Sequence, residues 1–282
     1  MLTAVTGSTG TIGGRVARTL AAQGVSLRLV GRDPSRFPDL PGAEAGSPAE
    51  YADAEAMNAA LHGCDTLFLV SGRESRNRVA EHLTAVDAAV RGGVQRIVYL
   101  SFLGAAPDCT FTFGRDHWHT EQHIIGTGVR HTFLRDSLYA DFMLPMVGAD
   151  DAIRGPAADG RVSVVAQDDV ADVAVAVLSD ESAAHDGVAY AVTGPQALTL
   201  TEVAATVSEV TGRDVRFENE TVEQAYASRA HYGAPQFEVD GWVTSYLAIA
   251  TGEIGAVSDD VERLTGHPAR SLEDVLHAQV GR

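Results

Sequence analysis

Val5-Thr6-Gly7-Ser8-Thr9-Gly10-Thr11-Ile12-Gly13-Gly14 is the stretch that decides the fold. It follows a short apolar run at 2–6 and leads into a helical pattern at 14–23 that places Val16, Leu20 and Ala21 on one side. Glycines at 7, 10 and 13 give a G-x-x-G-x-x-G spacing between strand and helix. Glycine is needed there because backbone amides must approach a diphosphate closely, and because the first helix must present its free N-terminal amides to that anion. A glycine triplet alone says little. One that opens the first helix directly after the first strand has the context that dinucleotide binding demands, against the plain alternative of a structural turn. Gly7, Ser8, Thr9, Gly10, Thr11, Ile12 and Gly13 are therefore candidate cofactor-binding residues.

Outward from this loop, strands at 26–30, near 43–46, and at 66–71, 95–101 and 130–135 alternate with helical patterns at 53–62, 77–92 and 116–127. That alternation predicts an α/β fold with a doubly wound parallel sheet of the Rossmann type. Beyond residue 150 the pattern is broken by Gly155-Pro156, Asp159-Gly160 and Gly194-Pro195. Strands are expected near 162–165 and 188–192, and helices at 171–178 and 201–211, after Asp259-Asp260 and from Ser271. The expected division is a nucleotide-binding domain over 1–150, receiving elements from about 162–193, and a smaller α/β lobe over 151–282 that covers the substrate.

The second strand runs into Gly31-Arg32-Asp33-Pro34, where such folds select their cofactor. An acidic residue at the strand end would accept from a ribose hydroxyl, but the position is Gly31. Arg32 instead offers a guanidinium suited to a 2′-phosphate, with Arg36 as a second charge. NADP(H) is preferred over NAD(H), although Asp33 could still reach the ribose.

Composition narrows the partners. The chain of 282 residues carries a formal charge of −17, which repels nucleic-acid phosphates and anionic lipid. No stretch approaches a membrane span and no signal peptide fits the start, while two cysteines, Cys64 and Cys109, suit a reducing cytoplasm. A small-molecule acceptor is the expected partner, with a homodimer or a protein partner also open. All 21 basic residues are arginine, so chemistry that requires a lysine amine is excluded.

Several landmarks together resemble the atypical short-chain dehydrogenase/reductases, in particular the NmrA-like branch that includes NADPH:quinone oxidoreductases. They are VTGSTGTIGG at 5–14, LVGRDPSR at 29–36, ALHGCDTLFLVSG at 60–72, GGVQRIVYLSFLGA at 92–105, HTEQHIIGTGVRHTFLRDSLY at 119–139 and VAQDDVADVAVAVL at 165–178. The resemblance implies that Val70, Ser71 and Gly72 pass beneath the cofactor, that Ser101 takes the place of the active-site serine, and that Leu134 and Arg135 line the nicotinamide end. It also exposes a departure. Conventional members carry Tyr-x-x-x-Lys, whose lysine lowers the tyrosine pKa; the corresponding pair here is Phe113 and His117. Quinone reductases of the branch also place a histidine at the lysine position.

The densest polar chemistry lies at 111–123. On a helix from about Asp116, residues His117, Thr120 and Glu121 share a face. His117 is expected to hydrogen-bond the nicotinamide ribose or to give a proton to the reduced substrate, with Arg115 orienting an anionic or carbonyl oxygen. The alternative is a packing Trp118, a capping Asp116 and a surface histidine. His119 and His123 are spaced i, i+4 without a third ligand at a familiar spacing, so no metal is expected. Arg73, Glu74, Arg76, Arg78 and His82 crowd the start of the next helix, either near substrate or with Glu74 and Arg78 as an exposed ion pair. Tyr226, Trp242 and Tyr246 could cover an acceptor ring or pack in the core. The expected activity is NADPH-dependent hydride transfer to a small conjugated acceptor such as a quinone. The alternative is a protein of the NmrA kind that senses NADP(H) without turning it over.

Overall fold

A computed structural model describes residues 1–281. Its central sheet is built from β1 (Leu2–Thr6), β2 (Ser26–Val30), β3 (Ala43–Ala45), β4 (Thr66–Leu69), β5 (Arg96–Phe102) and β6 (Arg130–Asp136). Between them run α1 (Thr11–Ala22), α2 (Ala54–Leu61), α3 (Arg78–Arg91) and α4 (Thr112–Thr127). Further along the chain lie β7 (Ala152–Gly155), β8 (Arg161–Val162), α5 (Gln167–Ser179), β9 (Val188–Val192), β10 (Leu198–Thr199), α6 (Leu200–Thr211) and β11 (Arg216–Asn219). Four helices follow: α7 (Val222–Arg229), α8 (Gln236–Ala250), α9 (Asp260–Thr265) and α10 (Leu272–Val280).

The strand order is β3-β2-β1-β4-β5-β6-β9, and the pairings β1 with β2, β1 with β4, β2 with β3 and β4 with β5 are parallel. This is the doubly wound sheet expected from the sequence. The order reverses between β1 and β4, so the loops that leave these two strands flank the crevice where such sheets bind ligands. Both strands are apolar enough to be covered on both faces: Ala4, Val5, Leu67, Phe68 and Leu69 have no exposed surface.

The chain divides into two compact units and passes between them repeatedly. The first holds Met1–Ser101, Asp116–Arg135 and Val170–Tyr190; the second holds Phe102–Arg115, Asp136–Asp169 and the chain from Ala191 on. In the second, β8 pairs antiparallel with β10, and β7 pairs parallel with β11. Its core gathers Phe102, Phe111, Phe113, Met143, Ile153, Val162, Leu200, Tyr246 and Leu272. Glycine is required where aromatics meet backbone: a Cβ on Gly241 would fall 2.1 Å from the Phe113 ring, and one on Gly155 would fall 2.1 Å from the Tyr246 ring. Among the described residues no helix is long and apolar enough to cross a membrane.

Candidate active site

The glycine loop takes its shape from steric need. Gly7 has φ +64°, the left-handed region that favours glycine, and a Cβ there would press within 3.2 Å of Val70. A Cβ on Gly13 would lie 2.5 Å from the Gly7 carbonyl oxygen, and one on Gly14 would lie 2.8 Å from that of Ser8. Gly10 stands at the N-cap of α1 with no side chain to occupy the helix's first amides. Gly7, Thr9, Gly10 and Thr11 are exposed, whereas Ser8 and Ile12 are buried. The Ser8 hydroxyl is buried without a hydrogen-bond partner.

Across the crevice, the loop after β4 is tied down peptide by peptide. The Thr6 hydroxyl accepts from the Val70 N–H at 2.9 Å, and the Tyr51 hydroxyl lies 2.6 Å from the Val70 carbonyl and 2.7 Å from the Thr6 hydroxyl. The Gly72 N–H donates to Nε2 of His82 at 2.8 Å, and Nε of Arg78 donates to the Gly72 carbonyl at 3.0 Å. Arg78 and His82 stand one turn apart on α3, and both are buried.

These side chains continue into α4, whose His117, Thr120 and Glu121 form the shared face expected from sequence, here buried against the sheet. The helix begins four residues earlier than expected, at Thr112. The Arg78 guanidinium, a donor only, lies 3.1 Å from Nε2 of His117, so that nitrogen accepts and the ring proton sits on Nδ1, 3.0 Å from the Tyr99 hydroxyl. Asp116 is 3.8 Å from the same guanidinium. His82, accepting at Nε2, carries its proton on Nδ1, 2.9 Å from the Thr120 hydroxyl. Burial, then the Arg78 charge, lowers His82 to about 3. The same causes, in the same order, hold His117 well below the usual imidazole range, so both rings are neutral at pH 7. Burial raises the Tyr99 and Tyr51 phenols.

A second cluster sits one turn along α4. Glu121, 1% exposed, receives Nε and a terminal nitrogen of Arg135 at 2.8 and 2.5 Å, and the Ser101 hydroxyl donates to it at 2.6 Å. The bidentate contact with Glu121 raises the Arg135 pKa further. Leu134 is fully buried, backbone included. The structure thus gathers Ser101, His117 and Arg135 with Glu121, Arg78 and Tyr99. Arg115 falls in the second unit, exposed, with its Nε donating to the Cys109 carbonyl at 2.8 Å.

Arg32 and Arg36 are exposed at the end of β2. A side chain at Gly31 would meet the Phe37 ring at 3.1 Å, which explains the glycine where an acidic residue would select a ribose. Asp33 is engaged in a short turn, accepting from the Ser35 amide and hydroxyl at 3.1 and 2.6 Å, contacts that lower its pKa. Arg78 turns inward rather than forming a surface pair. In the second unit, Tyr246 lines an apolar pocket with Leu138, Tyr139, Met143, Met146 and Leu200, while the Tyr226 hydroxyl donates to Asp240. Sequence reasoning did not reach Tyr51 or Tyr99. Tyr51 lies in a loop with no pattern, and Tyr99 reads as one more apolar strand residue.

Residues 7–181 match the NAD(P)H-binding family model, which covers the glycine loop and every first-unit cluster described above. The chain belongs to the NAD(P)H-binding family. Within that family it is 32% identical to NAD(P)H azoreductase of Xenophilus azovorans, covering 97% of this chain and 96% of the relative. It is 35% identical to (4-alkanoyl-5-oxo-2,5-dihydrofuran-3-yl)methyl phosphate reductase of Streptomyces griseus, over 96% and 95% of the two chains. The structure of an NADPH-dependent quinone oxidoreductase of Escherichia coli complexed with NADPH superposes with a TM-score of 0.90, 27% identity and full coverage of both chains. The residues of this chain fit the family's nucleotide: the cradle is one that a Cβ would fill, and the loop carries the unpartnered, buried hydroxyl of Ser8.

Proposed function

We propose that the protein is an NADPH-dependent reductase that passes a hydride to a small conjugated acceptor such as a quinone. It is an NAD(P)H-dependent oxidoreductase of the atypical short-chain type, without the Tyr-x-x-x-Lys pair. The observation that carries the reading is the glycine cradle at the switch point of the sheet, in a chain that aligns end to end with reductases of azo, furanone and quinone acceptors. Each of those acceptors offers a conjugated, electron-poor double bond.

With its diphosphate held in the glycine loop, the nucleotide would supply a hydride from its reduced nicotinamide. The chain's own groups hold and orient. Amides of Thr11, Ile12 and Gly13 and the Ser8 hydroxyl take the diphosphate, Arg32 takes the 2′-phosphate, and Val70, Ser71, Gly72, Leu134 and Arg135 border the nicotinamide. Ser101, His117 and Arg115 serve the acceptor. Of the two roles expected for His117, hydrogen bonding and proton donation, the first is favoured, because burial and the guanidinium at its Nε2 keep the ring neutral. Arg115 uses its terminal nitrogens to orient an anionic or carbonyl oxygen. A conjugated acceptor suits such a site because the charge formed on reduction spreads over the π system and needs less proton donation in the transition state. The enzyme works in the reducing cytoplasm, where Cys64 and Cys109 stay free thiols.

The test follows the absorbance of reduced nicotinamide with a panel of quinones and azo dyes. Turnover that falls in His117→Ala is expected. Tight NADPH binding with no turnover on any acceptor would overturn the enzyme reading in favour of a cofactor sensor.

A further inference from the structure

Two residues on α3 do more than pack. Gly72 lies in the loop that leads from β4 to α3, and both of its backbone polar groups are claimed by that helix: the N–H by His82 and the carbonyl by Arg78. The same Arg78 guanidinium reaches Nε2 of His117 on α4, 39 residues away in sequence, and is itself only 5% exposed. An arginine buried this deeply has lost most of its hydration and must be offset by fixed acceptors. The Gly72 carbonyl, the His117 imidazole and the Asp116 carboxylate at 3.8 Å supply them. The five donors of a guanidinium lie in one rigid plane, so satisfying two of these acceptors at once fixes their relative position.

We propose that Arg78 is a positioning residue of this site, whose guanidinium fixes the Gly72 carbonyl of the loop after β4 and the Nδ1–H tautomer of His117 together, while His82 holds the N–H of the same residue. The inference rests on the proposed reading that this loop and His117 serve the nicotinamide site. It makes the permanent cation of the pocket a residue outside the helix that carries the usual dyad. In a chain without lysine, a charge that keeps a neighbouring group in one protonation state has to come from arginine. The charged and titratable groups around His117 are Arg78 and His82 from α3, Tyr99 from β5, and Asp116 and Glu121 from α4.

The test uses ¹⁵N-histidine-labelled full-length protein without nucleotide, with the His117 ring assigned by loss of its signals in His117→Gln, alongside titration calorimetry with NADPH. In the wild type, His117 is expected to stay neutral with its proton on Nδ1 from pH 8 to 5. In Arg78→Met the donor facing Nε2 is gone, so the still-buried, neutral ring is no longer held to one tautomer and its ¹⁵N shifts move toward a mixture of Nδ1–H and Nε2–H, and the NADPH Kd rises about tenfold as Gly72 loosens. His117 ring shifts identical to wild type in a folded Arg78→Met, or a Kd within twofold of wild type, overturns the proposal. If Arg78→Met does not fold, Arg78→Lys decides: a single ammonium serves one acceptor fully, so the Kd is expected to rise several-fold, and a wild-type Kd overturns the joint role. Wild-type protein that fails to bind NADPH would sink the functional reading instead, and the nucleotide-free spectra would still decide the tautomer.

Discussion

Gly13→Ala is the substitution most directly priced by the geometry. The new Cβ would lie 2.5 Å from the Gly7 carbonyl oxygen, 2.7 Å from its carbon and 2.8 Å from the Thr6 oxygen, all backbone atoms that cannot rotate away. Restoring an ordinary carbon–oxygen separation of about 3.3 Å requires the first turn of α1 to withdraw from the loop by roughly 0.8 Å. Overpacking of this kind costs about 1–3 kcal/mol, and the amides that would face the diphosphate move with the helix. The NADPH Kd should therefore rise by about ten- to a hundredfold, at about 1.4 kcal/mol for each factor of ten. Gly126→Ala is the control, because its Cβ meets nothing within 4 Å and it lies at the far end of α4, outside the loop, so the Kd should stay within about twofold. Calorimetric titration of both variants with NADPH, with thermal unfolding as the check on folding, reads the difference. A Gly13→Ala protein that is folded and binds within twofold of wild type would refute the idea that close backbone approach in this loop holds the nucleotide.

Three further outcomes follow from the same geometry. Arg32→Ala should weaken NADPH by about 1.5–3 kcal/mol, the worth of a hydrogen bond to a charged group, and leave NADH within about twofold; equal losses for both nucleotides would remove the 2′-phosphate role. Glu121→Gln leaves the Arg135 guanidinium without its bidentate carboxylate while sparing the Ser101 contact, and should lower unfolding stability by about 2 kcal/mol, less than a fully buried pair because Arg135 is 31% exposed; urea titration checks it. His82 and His117 are neutral when folded, with the folded pKa of His82 near 3 against an ordinary 6.5, so the unfolded chain binds more protons below pH 6.5. Their contribution is complete above that pH and is lost as pH falls, at about 1.4 kcal/mol per pH unit for each ring. Urea midpoints at pH 7.5 and 5.5 should show this slope, and His82→Gln should reduce it by about half.

Where a feature is written in adjacent residues, the sequence discloses it. The glycine loop needs nothing beyond its own strand and helix, and β1, β2 and β9 fall at the residues their apolar runs indicate. Elements held by distant partners are different. Strands β7 and β11 have only four residues each and pair with one another across some sixty positions, so neither carries a pattern of its own. Helix α8 escapes notice because Val239, Gly241, Val243, Tyr246, Ala248 and Ile249 are buried around much of its circumference, leaving no polar stripe to reveal a period. The site divides in the same way. Arg78 and His82, at i and i+4, read from sequence either as neighbours of substrate or as part of an exposed helix face, and only the fold brings His117 and Gly72 against them.

The loss of the usual tyrosine is more than a missing hydroxyl. Phe113, which stands at that position, is buried in the core of the second unit, with its ring edge-on to Phe111 at 5.7 Å and so close to α8 that only glycine fits at 241. That site is committed to packing, and a hydroxyl placed there would be desolvated without a cation to make it acidic. At the lysine position, His117 is kept neutral beside a guanidinium. Neither half of the dyad can therefore hand over a proton at neutral pH. A simple ketone, whose reduction concentrates charge on one oxygen, asks for that proton in the transition state. A quinone or azo acceptor spreads the charge and collects its proton afterwards from solvent. On the proposed reading, selection among acceptors falls to electronic structure, toward substrates that can be reduced first and protonated later.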